Sequence, residues 1–150
     1  MEILDRLLFG KKITIKDERI GKLSSRIKSK NLSKECTWIS EHLIPEQQEK
    51  TVFILEGDLN GPYYSQLKTV YRIIEELKLI IENVDNELRK NSSKYEKLKN
   101  WKDKFYLAAL TPYDVSRNEF EINFEPFNKD DSRYISLLWS NGNLSEIEGK

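Results

Sequence analysis

The sequence predicts an α+β fold, an antiparallel sheet covered by one long central helix, in a single domain spanning residues 1–150. Three observations predict it. Short segments of alternating apolar and polar residues occupy both ends of the chain. An unbroken apolar stripe at three- and four-residue steps fills the middle. Asn141-Gly142, set between two apolar runs, is the strongest short hairpin signal in the chain. A length of 150 residues suits one ordinary domain, long enough to bury a single core.

The elements follow in order. Residues 1–12 (MEILDRLLFGKK) carry Glu2 and Asp5 where a signal peptide needs positive charge, so they read as a short amphipathic helix or strand of the fold itself. Ile13-Thr14-Ile15-Lys16 and Leu23 to Lys28 read as strands flanking the turn Asp17 to Lys22, and Cys36-Thr37-Trp38-Ile39 as a third. Thr51-Val52-Phe53-Ile54-Leu55 is continuously apolar, which predicts a central strand covered on both faces. After the loop Gly57-Asp58-Leu59-Asn60-Gly61, Pro62 suits a first helical turn. Leu67, Val70, Tyr71, Ile74, Leu77, Ile81, Val84 and Leu88 then form one stripe. A single helix over 62–90 would be about 43 Å long. The domain's expected diameter is only about 38 Å. Such a helix must cross the domain, protrude or break, and Asn83-Val84-Asp85-Asn86 has the weakest propensity.

Residues 94–104 read as a short basic helix or a loop, and Phe105 to Leu110 as a strand. Glu119 to Glu125 alternates strictly, with Phe120, Ile122 and Phe124 on one face and acids on the other. The expected core comprises Val52, Ile54, Leu67, Val70, Ile74, Leu77, Ile81, Phe120, Ile122 and Phe124.

Composition narrows the function. One cysteine, Cys36, permits no intramolecular disulfide and no thiolate metal cluster, which points to a reducing compartment, the cytoplasm. No apolar run approaches a membrane span, and no membrane partner is expected. Lys plus Arg and Asp plus Glu balance at 25 each, so net charge selects no partner. The distribution does: residues 11–34 hold nine basic residues against Asp17 and Glu18, whereas 106–150 hold eight acidic against four basic.

The candidate sites are weighed against plainer readings. Cys36 and the sole histidine, His42, could form a nucleophile–base pair, but no supporting pattern surrounds them. Glu56 and Asp58 are too few for a hard cation, which needs six or more oxygens. The 57–62 junction lacks the Lys-Ser/Thr of a phosphate loop, and Asp58 would repel phosphate. Glu119, Glu121 and Glu125 could supply a glycosidase pair, though charges on a solvated strand face are ordinary. With Asp130 and Asp131 they make a better partner-binding patch. The basic segment 11–34 could contact phosphates as a nucleic-acid-binding or regulatory module, yet it lacks interleaved aromatics for base stacking. The expectation is a non-enzymatic protein binder without cofactor or metal, either a monomer or a helix-mediated homodimer.

Asp17 to Leu23 (D-x-x-x-G-x-L, with Gly21), Trp38, Val52 to Leu55, Leu67 to Leu88 and Phe120 to Gly149 carry a resemblance. In this order the chain is similar to small bacterial proteins of unknown function. They have a hairpin, a Trp-bearing strand, an apolar strand, one long helix and a closing β-meander. Some of these look like immunity proteins of contact-dependent growth inhibition or polymorphic toxin systems. The resemblance implies a protein that neutralises a cognate toxin by direct binding. It supplies no catalytic residues, and residues 90–104 have no counterpart in it.

Overall fold

The most apolar segments of the chain settle at the middle of a wide sheet, and the two longer helices pack on one side of it. The computed structural model describes residues 2–28 and 30–150. In chain order the elements are α1 (Glu2–Phe9), β1 (Lys11–Asp17), β2 (Gly21–Ile27), β3 (Cys36–His42), β4 (Thr51–Asp58), β5 (Gly61–Pro62), α2 (Tyr64–Glu75), α3 (Leu77–Lys90), β6 (Phe105–Pro112), β7 (Phe120–Pro126), β8 (Ile135–Ser140) and β9 (Asn143–Gly149). Two 3-10 turns, Glu96–Leu98 and Trp101–Asp103, lie between α3 and β6. The nine strands found among the described residues form one sheet in the order β1-β2-β3-β4-β6-β7-β8-β9, with β5 folded back on β4.

The expected antiparallel sheet under one long helix is corrected on both counts. The sheet is mixed, because β4 and β6 run parallel while the other pairs are antiparallel. A hairpin reverses direction, but a connection through helices returns the chain to the same end, which makes the strands it joins parallel. The helix of 62–90 is two helices. It breaks at Glu76, whose backbone (φ −93°, ψ 6°) leaves the helical region. Glutamate is a good helix former, so intrinsic propensity does not account for the break. The weak stretch at Asn83 to Asn86 stays helical. There Asp85 accepts a hydrogen bond from Trp101 Nε1 at 3.1 Å and pairs with Arg89 and Lys102 at 2.9 and 3.2 Å. Pro62 belongs to β5, and α2 starts at Tyr64 without a side-chain cap.

The covered face carries the core. Trp38 pairs with Leu55, Leu110 with Ile122, Ile122 with Leu137, and Phe120 with Trp139, and each of these side chains is buried. Of the expected core, Val70, Phe120, Ile122 and Phe124 are buried, whereas Val52, Ile54, Leu67, Ile74, Leu77 and Ile81 are only half-buried. In β4 the alternate residues Phe53 and Leu55 are fully enclosed instead, because no helix covers the second face of that strand.

The central seam is short. Only Val52–Ala109 and Phe53–Leu110 pair across β4 and β6, and β6 bulges between Leu107 and Ala109. Gln47 fills in beyond the last pair. Its Oε1 accepts the Leu107 N–H at 2.9 Å, and its Nε2 donates to the Leu107 carbonyl at 3.1 Å and to Thr51 Oγ1 at 2.8 Å. Thr51 Oγ1 donates to the same carbonyl at 2.7 Å. Gly57 closes the far end of β4, where a Cβ would lie 2.2 Å from the Gly61 carbonyl oxygen.

Three substitutions test this packing by urea denaturation. Phe53→Ala, in the enclosed phase of β4, costs about 3–5 kcal/mol, whereas Val52→Ala costs about 1 kcal/mol. Gln47→Ala, which strips the Leu107 amide of its partner, costs about 1–3 kcal/mol. Equal losses for Phe53 and Val52 would show that the strand faces are misassigned.

Candidate functional site

Because α2 and α3 occupy one side, the other side of the sheet presents the alternate residues of every strand. In the middle these are Ile39, Val52, Ile54 and Ala109, and Ile39 is 47% exposed. Toward one edge the register places Lys12, Lys16, Lys22 and Arg26 on this face, with Lys12 opposite Arg26 and Lys16 opposite Lys22. Toward the other edge it places Glu121, Glu125, Glu146 and Glu148 there, through the pairs Glu121–Leu138, Tyr106–Glu125, Leu138–Glu146 and Ser136–Glu148. The outermost strands are seven steps apart in the sheet order, which at the usual spacing of about 4.8 Å puts them about 34 Å apart. The charge asymmetry of the chain thus becomes an asymmetry across one surface.

The carboxylates are held differently. Glu121 accepts hydrogen bonds from Tyr113 Oη (2.7 Å), Asn123 Nδ2 (3.0 Å) and Ser136 Oγ (3.3 Å). The Tyr113 bond lowers its pKa below the usual Glu value, outweighing partial burial, and the two weaker donors add to the effect. The same bond, with burial, raises the Tyr113 phenol to about 12. Glu125 is exposed beyond this network. Glu148 accepts from Tyr134 Oη at 2.8 Å.

The five residues expected as a partner patch are therefore only partly brought together. Glu121 and Glu125 share the uncovered face, and the alternation of the strand extends to Glu119, which precedes β7. Asp130 and Asp131 lie in the loop after β7. Asp131 binds Arg133, with Nε at 2.9 Å from both carboxylate oxygens, and the Arg133 side chain and backbone N–H hold its pKa down at about 2. Arg133 also donates to the Lys97 carbonyl at 2.5 Å, so Asp131 ties a loop and is not a free charge. Glu146 and Glu148, absent from the expected patch, take its place. Their signal is the alternation Ser145-Glu146-Ile147-Glu148, legible in the sequence.

The other candidate sites resolve into structural roles. Cys36 and His42 begin and end β3, so a whole strand, about 20 Å, separates them and no dyad can form. The Cys36 thiol and Trp38 Nε1 both donate to the Asp58 carbonyl, at 3.2 and 2.8 Å. His42 packs on Gly21, where a Cβ would come within 2.5 Å of its Nδ1. Asp58 Oδ1 accepts the Asn60 N–H at 2.8 Å, which shapes the turn into β5. Among the described residues no group of three or more His, Cys, Asp or Glu could hold a metal ion. Of the carboxylates considered for a glycosidase pair, Glu121 has a lowered pKa, through its Tyr113 hydrogen bond, the opposite of what a glycosidase acid requires.

Among the described residues no helix is long and apolar enough to cross a membrane. Comparison with family models, with curated proteins and with solved structures finds no match to this chain.

The Glu121 network has a pH signature. A lowered carboxyl binds fewer protons folded than unfolded, so its contribution is complete above the ordinary value of 4.5 and is lost as pH falls below it. Glu121→Gln should therefore flatten the acid limb of the stability–pH curve, and Tyr113→Phe should flatten the same limb. Denaturant midpoints through this range check the point, and an unchanged acid limb would mean that the network does not form.

Proposed function

We propose that this protein binds another protein, as an immunity protein that neutralises a cognate bacterial toxin by direct contact. The observation that supports this reading is the row of carboxylates on the uncovered face, Glu121, Glu125, Glu146 and Glu148, beside half-buried apolar residues such as Leu138. Apolar centres with charged rims are how protein interfaces are built. An inhibitor needs a rigid, charged face and no nucleophile, since complementary charge speeds encounter and excludes wrong partners. A cationic toxin, such as a nuclease whose own surface binds phosphates, fits the anionic part of this face.

The test is affinity for the product of the reading frame neighbouring its gene, with protection of growing cells as a second readout. Wild type should bind and protect. Glu125→Lys and Glu146→Lys should each weaken binding by about 2–5 kcal/mol, as expected when a buried charge loses its partner. Asp130→Lys, outside the strand face, should leave affinity unchanged. A complex insensitive to both strand reversals would remove this face as the site. Absence of both complex and protection would remove the immunity reading.

A further inference from the structure

The N-terminal helix has no role in the core. In α1, Ile3, Leu4, Leu7, Leu8 and Phe9 are 78, 66, 74, 57 and 58% exposed. The first four recur at helical spacing and share a side of the helix. Contiguous apolar surface of this kind seldom stays in water without a purpose. Gly10, at φ +83°, turns α1 into β1, and a Cβ there would lie 2.3 Å from the Ile27 carbonyl oxygen, so the helix root lies tight against the hairpin end. Asp5 pairs with Arg26 at 3.0 Å.

That end of the hairpin is cationic. Lys11 lies opposite Ile27 and Lys12 opposite Arg26, with Lys28 and Lys30 just beyond and Arg6 on α1 itself. All six basic side chains are exposed. Of the two acids on α1, Glu2 and Asp5, Asp5 already serves Arg26.

We propose that α1 and this cationic hairpin end dock the protein peripherally on an anionic phospholipid surface. The apolar side of α1 enters the headgroup–acyl boundary while the lysines and arginines meet the negative headgroups. Neither contact alone holds a protein firmly, and the two together suffice. The expectation of no membrane partner rests on the lack of a spanning segment, which a peripheral contact does not need. The opposite, anionic edge of the sheet, with Glu146 and Glu148, is repelled from the same surface, which orients the molecule with that edge outward. Two other occupants fit less well. A nucleic acid has no use for five apolar residues on α1, and β1 and β2 offer no aromatic side chain for stacking. A second copy in a two-fold contact would bring like-charged clusters face to face. This inference is independent of the toxin-binding reading, because it uses the other edge of the sheet.

The test is co-sedimentation of the full chain with vesicles of phosphatidylcholine alone and of phosphatidylcholine mixed with phosphatidylglycerol. Binding should appear with the mixed vesicles, fall as salt is raised, and be negligible with phosphatidylcholine alone. Lys12→Glu and Lys28→Glu should each lower the partition at least about fivefold, the effect of one surface cation. Leu4→Glu with Leu7→Glu should abolish pelleting even at low salt, with the melting temperature unchanged because α1 lies outside the core. No binding to anionic vesicles, equal binding to both kinds, or binding insensitive to the leucine pair overturns the proposal. So does retention on DNA that survives the leucine changes in place of vesicle binding. A dimer in sedimentation equilibrium that Leu7→Glu dissociates, without vesicle binding, assigns the surface to a second copy instead.

Discussion

Two parallel residue pairs, Val52–Ala109 and Phe53–Leu110, join two antiparallel meanders into one sheet. β1 to β4 form one and β6 to β9 the other, and each runs through neighbouring strands in chain order. Parallel pairing is slightly weaker per residue than antiparallel pairing, and here it spans two residues. The seam therefore leans on Gln47 and Thr51, whose side chains satisfy the Leu107 amide and carbonyl where the bulge interrupts the ladder. The crossover through α2 and α3 brings its own reward, since it lays Val70, Ile73, Ile80, Val84 and Leu88 over the sheet.

From this constraint the surface follows. Since each meander keeps chain order, a basic early segment and an acidic late one end on opposite sides of the sheet. Had the second meander been inverted, β9 would lie beside β4 and its carboxylates would sit at the centre of the sheet instead of at its edge. The crossover also determines that both helices lie on one side, which leaves the other side for alternating polar and half-buried apolar residues. Antiparallel sheets tolerate one solvated face. A partner that covered this one would gain the burial of Ile39, Ile54 and Leu138.

Strict alternation made β7 legible, because Phe120, Ile122 and Phe124 leave no choice of face. β4 was not legible in phase: four consecutive apolar residues, Val52 to Leu55, fit either face, and the choice depends on where the helices lie. The helix stripe suffered the same ambiguity. Ile73-Ile74 and Ile80-Ile81 are adjacent pairs, and the structure buries Ile73 and Ile80 where periodicity alone favours Ile74 and Ile81 equally. The break at Glu76 carries no local signal, since no proline or glycine marks it. Among the site residues, the acids of β7 could be read from alternation. The capture of Asp131 by Arg133 and of Glu121 by Tyr113 could not, because one depends on a loop's conformation and the other on strand register.

The carboxylates of the uncovered face differ in what each can contribute to a complex. Glu121 is fixed by three donors, so it loses little freedom when a partner cation arrives. The same donors already satisfy part of its hydrogen-bonding capacity, which weakens its pull on a newcomer. Glu125 is exposed and adaptable, and ordering it on binding has an entropic cost. Long-range attraction depends on charge and not on hydrogen-bond geometry, so both attract a cationic partner equally at a distance. At contact they diverge. On the proposed reading, the fixed carboxylate defines where a cation must sit, whereas the free ones adapt to pair with a cation on contact. On the binding reading proposed above, a face that combines the two suits an inhibitor that must reach its target before the target acts.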